Sequence, residues 1–333
     1  MNAKPEISVR PYDPGSKREW QDFLSASNNG TLFHDQDFLG YHPAERFKQH
    51  SLMLYQGDRL RALFPAAIHP LPDGQRILQS PFGASIGGLV LADGTPASLA
   101  MELIGGLQSY AKTAGVQGIE MRIGPNLYQT HHDDLLPFGL ASRGFKLTKA
   151  SLTFVVAMDF DSHDGMLSGF SKSKRYDVRK SITKGVTTRE AGREGFDAFH
   201  RLMVSTYARH GNEPTHRREE LEKLMELTPG KIRIFLAEHE GRAIAGVCVF
   251  VLNRTSAYTY YICEERDEED LSGPAVLIGF ILEKMRTEGF KYLDLGPSAS
   301  ESHFNSGVVF FKEGLGARGF LRSTWGWNAA GTV

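Results

Sequence analysis

The stretch "IRIFLAEHEGRAIAGVCVFVLN", residues 232–253, determines the fold prediction for the second half of the chain. An apolar run reaches a short polar turn at Gly241 and then resumes as a second apolar run. Two such runs joined by a glycine-containing turn are typical of a β-hairpin. Residues 52–69, "LMLYQGDRLRALFPAAIH", show the same pattern around Gly57. The sequence therefore predicts two related hairpins, one in each half of the chain.

The same order of elements follows both hairpins. Residues 96–114 and 274–288 have helical patterns that open on a proline, a residue favoured in the first helical turn. Each leads into a short apolar strand that closes on Gly-Pro, at 115–125 and at 289–297. Because a whole series of elements recurs in one order, the sequence predicts two copies of a single α/β unit whose closing glycines end equivalent strands.

The chain length also favours two domains. A chain of 333 residues is too long for one core of ordinary size. The segment 159–165 is polar and turn-like, which places the predicted boundary between domains 1–158 and 159–333. Hairpin strands followed by a helix and a further strand predict, for each domain, a mixed and mostly antiparallel sheet with helices on both faces.

Composition excludes several classes of protein. The net charge is −1, so the chain as a whole is not a nucleic-acid binder and no DNA partner is expected. Cys248 and Cys263 lie in strand-like apolar runs, and we expect two reduced packing cysteines. The N-terminal segment lacks an apolar signal core, and no run of 18 apolar residues occurs. We therefore expect a cytoplasmic protein without a membrane span.

The tandem unit and three further stretches resemble the FemABX-type (FemAB-like) branch of the GNAT acyltransferase superfamily. These stretches are "SPFGASIGGLV" at 80–90, the basic segment "SKSKRYDVRKSITKGV" at 171–186, and the paired "YLDLG" and "GVVFFKEGLGA" near the C-terminus. The resemblance implies two tandem GNAT-like domains facing each other across a cleft, with residues 317–333 packing back on the first.

The resemblance also implies an enzyme that transfers an acyl or aminoacyl group to an amine. The acceptor would be a small molecule or a phosphate-bearing sugar or peptide precursor of the cell envelope. It implies no permanently bound cofactor, with acyl-CoA or aminoacyl-tRNA as co-substrate and the tRNA acceptor end as a partner in the second case. The stretch before Gly273, "EERDEEDLS", departs from the family pattern because six acids and one Arg stand there. Since carboxylates repel a pyrophosphate, we expect weak acetyl-CoA binding at this helix start.

Three residues are candidates for catalysis. The resemblance places Lys312, the Lys of the "FK" pair, in the cleft, where a cation can stabilise a carbonyl oxyanion or a donor phosphate. Lys312 could equally complement a helix dipole before Gly314. Asp294 ends a predicted strand, either as a carboxylate that holds the amine or as a solvated strand-end charge. Tyr260 is either the general acid of a GNAT-type site or a core residue.

A basic helix and a glycine-rich stretch are candidates for substrate binding. Lys172, Arg175, Tyr176 and Arg179 share one helical face that suits phosphates, or that is simply solvated. In "GASIGG" the residues Ser85, Gly87 and Gly88 could let a substrate approach the backbone. The same stretch matches the G-x-S-x-G nucleophile elbow, but a predicted strand follows where the elbow requires a helix.

No metal site is predicted. The run "HHDD" at 131–134 consists of adjacent residues whose side chains do not converge on one ion, so we interpret it as a loop. Two other functions stay open at this point: a non-catalytic tandem GNAT-like protein that binds a ligand or partner, and a tRNA-binding module. The complete "FKEGLG" favours the enzyme, whereas the acidic stretch favours a degenerate donor site.

Overall fold

The structure is a computed structural model that describes residues 6–43, 45–209 and 211–331. The chain divides into two compact units, Met1–Ser151 with Leu321–Val333, and Leu152–Phe320. The division comes earlier than the expected boundary at residue 158, because it falls inside the long strand Lys146–Ala157 rather than in the polar segment after it.

Among the described residues, the first unit consists of strands of different lengths and four α-helices, of which Ala97–Thr113 is the longest. Its strands are β1 (Ile7–Pro11), β2 (Leu52–Gln56), β3 (Arg59–Phe64), β4 (Ala67–Pro70), β5 (Arg76–Ser80), β6 (Val90–Leu91), β7 (Gly118–Ile123) and the first half of β8 (Lys146–Ala157). Its helices are α1 (Lys17–Ala26), α2 (Gln36–Leu39), α3 (Ala97–Thr113) and α4 (Leu135–Ser142). The C-terminal part of the last strand, β15 (Arg318–Asn328), also belongs to this unit.

The second unit has more helix. Its helices are α5 (His163–Gly169), α6 (Lys172–Thr183), α7 (Phe196–Arg209), α8 (Arg218–Leu227), α9 (Gly273–Thr287) and α10 (Ser306–Gly314). Its strands are β9 (Thr187–Ala191), β10 (Ile232–His239), β11 (Arg242–Val251), β12 (Ser256–Glu264), β13 (Tyr292–Ser300) and β14 (His303–Phe304).

The sheets of both units are mixed and mostly antiparallel, as the sequence predicts. In the first unit β1, β2, β3 and β6 pair antiparallel, while β5 pairs antiparallel with β4 and parallel with β7, which pairs antiparallel with β15. In the second unit β9 to β12 pair antiparallel in order and β13 pairs parallel with β12. The predicted α/β class with tandem GNAT-like units is confirmed.

Helices cover both faces of each sheet. The reason is that successive side chains along a strand point to opposite faces, and apolar side chains on both faces need to be buried. On β2, Leu52 and Leu54 belong to the core under α3, whereas Met53 packs with Trp20 of α1. On β11, Ala245 lies against Gly273 at the start of α9. The next residue, Gly246, lies against Phe199 and Leu202 of α7. Successive residues thus bury opposite faces under different helices.

The two predicted hairpins form, with turns that require positive φ. Gly57 has φ +61°, and the turn between β10 and β11 uses Glu240 at φ +50° and Gly241 at φ +76°. Two successive residues with positive φ match the right-handed twist of a tight hairpin. The expected equivalence of strand ends is only partial. Gly124 directly follows β7, but Gly296 lies inside β13, which continues to Ser300 and pairs with β14.

Two irregularities in the second sheet position the candidate site. The parallel pairing of β12 with β13 covers only Ser256–Tyr258 against Tyr292–Asp294, although both strands continue further. On its other edge β12 carries a bulge, because Cys248 pairs with Tyr261 but Val249 pairs with Thr259. Among the described residues, no helix is both long and apolar enough to cross a membrane.

Candidate active site

A cavity of about 440 Å³ lies in the second unit beside the end of β12. The start of α9, one side of α10, one residue of α6 and two residues of α7 complete its wall. The lining residues are Lys174, Thr206, Arg209, Ile262, Cys263, Glu264, Ser272, Pro274, Ala275, Gly307, Val308, Phe311 and Lys312. A concave site with a few polar groups on an apolar wall is the usual form of a small-molecule site.

Lys312 enters this cavity from the last turn of α10 and is 95% buried. Its Nζ donates a hydrogen bond to the carbonyl of Gly296, at 2.8 Å. Val309, one helical turn earlier, is buried on the same side of α10. Phe311 packs partly against the core, but Phe310 is 69% exposed. Of the two adjacent phenylalanines, only Phe311 contacts the core, because only one side of the helix packs against it.

Asp294 is fully buried, so it is not the solvated strand-end charge that was one of the two sequence alternatives. Its Oδ1 accepts hydrogen bonds from Thr153 Oγ1, at 2.5 Å, and from the Gly296 amide, at 2.6 Å. Gly296 has φ +85°, so the chain turns tightly enough to return its own amide to Asp294. The result is a hydrogen-bonded series from Thr153 through Asp294 and Gly296 to Lys312.

Burial lowers the pKa of Lys312 from 10.5 to about 8, and the negative charge of Asp294 opposes that decrease. An ammonium of this kind is still protonated at neutral pH but loses its proton in mild alkali. Perturbed side chains in a cavity are characteristic of sites that handle charge during a reaction. Because Asp294 is fully buried, its negative charge influences Lys312 from the interior of the protein.

The Tyr258 hydroxyl, not that of the predicted Tyr260, lies beside Gly296, the residue that Lys312 contacts. A Cβ placed on Gly296 would lie 3.6 Å from both the Tyr258 hydroxyl and Lys312 Nζ. Tyr260 is the extra residue of the β12 bulge and stacks on Phe250 with ring centroids 4.6 Å apart. The parallel register pairs Tyr258 directly with Asp294, so an alignment of the two strands by sequence would have found it.

The cavity wall carries more positive than negative charge. Lys174 of α6 and Arg209 of α7 line it together with Lys312, whereas Glu264 is the one carboxylate among the lining residues. Lys174 Nζ lies 5.3 Å from the centroid of the Phe311 ring, which is a cation–π distance. Arg209 donates to the Glu264 backbone carbonyl at 3.1 Å, which fixes its guanidinium beside the cavity.

The acidic stretch before α9 is placed differently from the sequence expectation. Glu264 lines the cavity, but Glu265 is paired with Arg201, at 2.5 Å, and residues 266–271 form a short 3-10 helix. Ser272 then starts α9 with a left-handed backbone at φ +44°. Glu264 is thus the one acid of this stretch among the cavity-lining residues and Glu265 is paired with Arg201, which weakens the electrostatic argument against a phosphate-bearing donor.

Cys263 also lines the cavity but is not suited to be a nucleophile. Burial raises its pKa to about 12, although Thr206 and Arg209 oppose the increase. A thiol with that pKa is protonated at neutral pH, whereas the thiolate is the reactive form. Among the described cysteines, Cys248 is likewise free and buried. The cavity is therefore suited to direct transfer rather than to an acyl-cysteine intermediate.

The basic helix α6 contributes one cavity residue, and it is not among the four that were predicted. Lys174 lies toward the cavity, whereas Lys172, Tyr176 and Arg179 are exposed. Arg175 donates to two backbone carbonyls at the end of α5. The sequence prediction selected the residues on the most basic face of the helix, and Lys174 is not on that face. Lys174 lies one turn from the buried Val178, and that spacing is the signal that could have identified it.

The remaining predicted residues lie in the first unit. Gly87 and Gly88 are buried, and a Cβ on either would meet protein atoms within 3 Å, Ser80 Oγ in one case and Ile123 Cγ2 in the other. These glycines thus allow close packing of the protein on itself rather than room for a substrate. The Ser85 carbonyl accepts a hydrogen bond from Arg322. The "HHDD" run precedes α4, and its His131 lies 3.0 Å from Asp93.

Comparisons with known proteins agree with the fold. Residues 172–305 match the family model described as acetyltransferase (GNAT) domain. The crystal structure of FemX matches with a TM-score of 0.73 and 14% identity over 96% of this chain and 97% of that chain. L-PGS from Bacillus licheniformis matches with a TM-score of 0.60 and 11% identity over 94% and 91%.

A tandem GNAT protein from the clavulanic acid biosynthesis pathway matches with a TM-score of 0.53 and 15% identity over 97% and 99% of the two chains. The amino-acid sequence matches no curated protein at a significant level. The predicted resemblance to FemABX-type proteins and the prediction of a GNAT-type N-acyltransferase are confirmed. The chain thus has the fold of FemX and of a tandem GNAT protein, and its residues 172–305 match the acetyltransferase (GNAT) domain model.

Proposed function

We propose that this protein transfers an acyl group from a phosphate-bearing donor to the amine of a small molecule or cell-envelope precursor, with Lys312 as the catalytic cation. The observation that carries the proposal is the buried Lys312 ammonium at the cavity, hydrogen-bonded to Gly296 and backed by Asp294. The family match to a GNAT acetyltransferase domain supports the reaction class.

In the proposed reaction the acceptor amine attacks the carbonyl carbon of the donor and a carbon–nitrogen bond forms. The carbonyl electron pair moves to oxygen, where the positive charge of Lys312 stabilises it. When the tetrahedral intermediate collapses, the bond to the thiol or alcohol leaving group breaks, the former amine nitrogen gives up one proton and the leaving group takes one up. The Tyr258 hydroxyl, which lies close to the same Gly296, is in a position to supply it.

For the donor we propose an acyl-CoA, with its phosphates beside Lys174 and Arg209 at the start of α9. A helix N-terminus and adjacent cations are both favourable for phosphate. Aminoacyl-tRNA is the alternative donor. The acceptor that we propose is an amine on a phosphate-bearing sugar or peptide precursor of the cell envelope, reached in the cytoplasm.

The test is a transfer assay with radiolabelled acetyl-CoA and, in parallel, labelled aminoacyl-tRNA against a panel of amine acceptors. The parent protein should form a labelled amide with at least one pair, and Lys312→Met should not. Arg209→Gln should weaken donor binding without removing the ammonium of Lys312. If Lys312→Met transfers acyl groups at the parent rate, the role assigned to Lys312 is refuted.

A further inference from the structure

The first unit contains a polar sheet face that the proposed chemistry does not use. Arg122 on β7 pairs in register with Thr324 on β15. Because side chains alternate along a strand, Arg322, two residues before Thr324, shares the face of Arg122. Met121 and Ile123 point to the opposite face and belong to the apolar core. Two guanidinium groups are therefore held by neighbouring strands on one side of the sheet.

Arg322 is fixed in place by the glycine-rich loop. It is 94% buried, and its Nη2 donates to the Ser85 carbonyl. Its Nε is also buried, with no acceptor among the residues that the structure describes. The Gly87 amide donates to the Arg122 carbonyl at 2.8 Å. The loop, β7 and β15 thus form one hydrogen-bonded frame around the two arginines.

The positive charges of this pair are only partly offset by the carboxylates of the described residues. Within the described part of the chain, neither Arg122 nor Arg322 has a carboxylate within ion-pair distance. Glu120 lies on the same face but accepts a hydrogen bond from Gln79 Nε2, at 3.2 Å. Burial and the neighbouring Arg322 lower the pKa of Arg122, and Glu120 opposes this only in part. Buried like charges without a counter-ion cost free energy unless a ligand neutralises them.

We propose that Arg122 and Arg322 form an oxyanion site that binds the phosphate groups of the acceptor substrate. Guanidinium groups bind phosphate oxygens through paired hydrogen bonds of fixed geometry. Two guanidinium groups match a diphosphate in charge, whereas a ligand with a single carboxylate would leave one guanidinium unpaired. The identification of the ligand as acceptor rests on the proposed function, but the anion site itself does not.

Calorimetric titration of the full chain with sodium pyrophosphate, at constant ionic strength, tests the site. Arg122→Gln and Arg322→Lys should each weaken the binding by about tenfold or more, because each loses the paired contact. The matched control is Arg59→Gln, which removes the same charge from an exposed strand position and should change the affinity less than about twofold. If Arg322→Lys fails to fold, Arg122→Gln decides the question.

Two further titrations identify the site and the ligand. Because the second-unit cavity also carries cations, pyrophosphate is titrated into Arg209→Gln, which should retain the binding that depends on Arg122. Succinate should bind more weakly than pyrophosphate, and tighter succinate binding would overturn the assignment to phosphate. Unchanged pyrophosphate affinity in Arg122→Gln would overturn the site. If Arg122→Gln binds pyrophosphate as tightly as the parent while Lys312→Met loses acyl transfer, this inference fails and the proposed function stands.

Discussion

Replacement of Lys312 by Met should abolish most acyl transfer while leaving the fold at least as stable as the parent. Met keeps the apolar stem of the side chain but has no charge. Removal of one preorganised oxyanion-stabilising group lowers the turnover rate by about 10²–10³ in comparable sites. We expect a decrease of that size in kcat, with a smaller change in donor affinity.

The effect on stability follows from the pKa. Lys312 has a folded pKa of about 8 against 10.5 for a fully solvated lysine. Each pKa unit corresponds to about 1.4 kcal/mol, so keeping this ammonium charged in the folded state costs about 3 kcal/mol. The cost is absent above pH 10.5, grows as the pH falls toward 8, and is fully present below 8. Lys312→Met removes it but leaves the Gly296 carbonyl without its donor, at about 1–2 kcal/mol. The net change at pH 7 should be a gain of about 1–2 kcal/mol.

The assay combines urea unfolding at pH 7 with kcat measured between pH 6 and 9.5. The parent rate should fall as the pH rises through about 8, because Lys312 then loses its proton. Lys312→Arg, whose charge persists through this range, should retain some activity and lose that fall. Parental turnover by Lys312→Met refutes the catalytic role, and a marked loss of stability in that variant refutes the energetic reasoning.

Three other substitutions test the surroundings of Lys312. Asp294→Asn removes the charge that raises the Lys312 pKa, so the alkaline fall in kcat should move to lower pH, and an unmoved profile would contradict this coupling. Phe311→Ala should reduce the free energy of unfolding by about 1–2 kcal/mol, because the ring is only partly buried and a fully buried ring is worth about 3 kcal/mol or more. The same variant removes the ring that contacts Lys174, so calorimetric titration should show weaker donor binding. Gly296→Ala forces a side chain onto φ +85° and should cost about 1–2 kcal/mol in urea unfolding, and an unchanged midpoint would count against this strain.

The sequence by itself was sufficient for the local structure. The hairpin turns at Gly57 and Gly241, the helices that open near Pro96 and Pro274, and the repeated order of elements all depend on short-range patterns of apolar and turn residues. Such patterns act within a few residues, so they can be recognised without coordinates. Lys312 could also be identified as a candidate catalytic residue, because the FKEGLG motif that contains it is contiguous in the sequence.

Only the tertiary structure decided which side chains meet. Lys174 and Arg209 reach the cavity from two separate helices, α6 and α7, and the Tyr258 hydroxyl reaches Gly296 from strand β12. The burial of Asp294 depends on a hydrogen bond from Thr153, which is 141 residues away in the chain. The pKa of Lys312 depends on the same packing, because desolvation is a property of the folded surroundings and not of the residue.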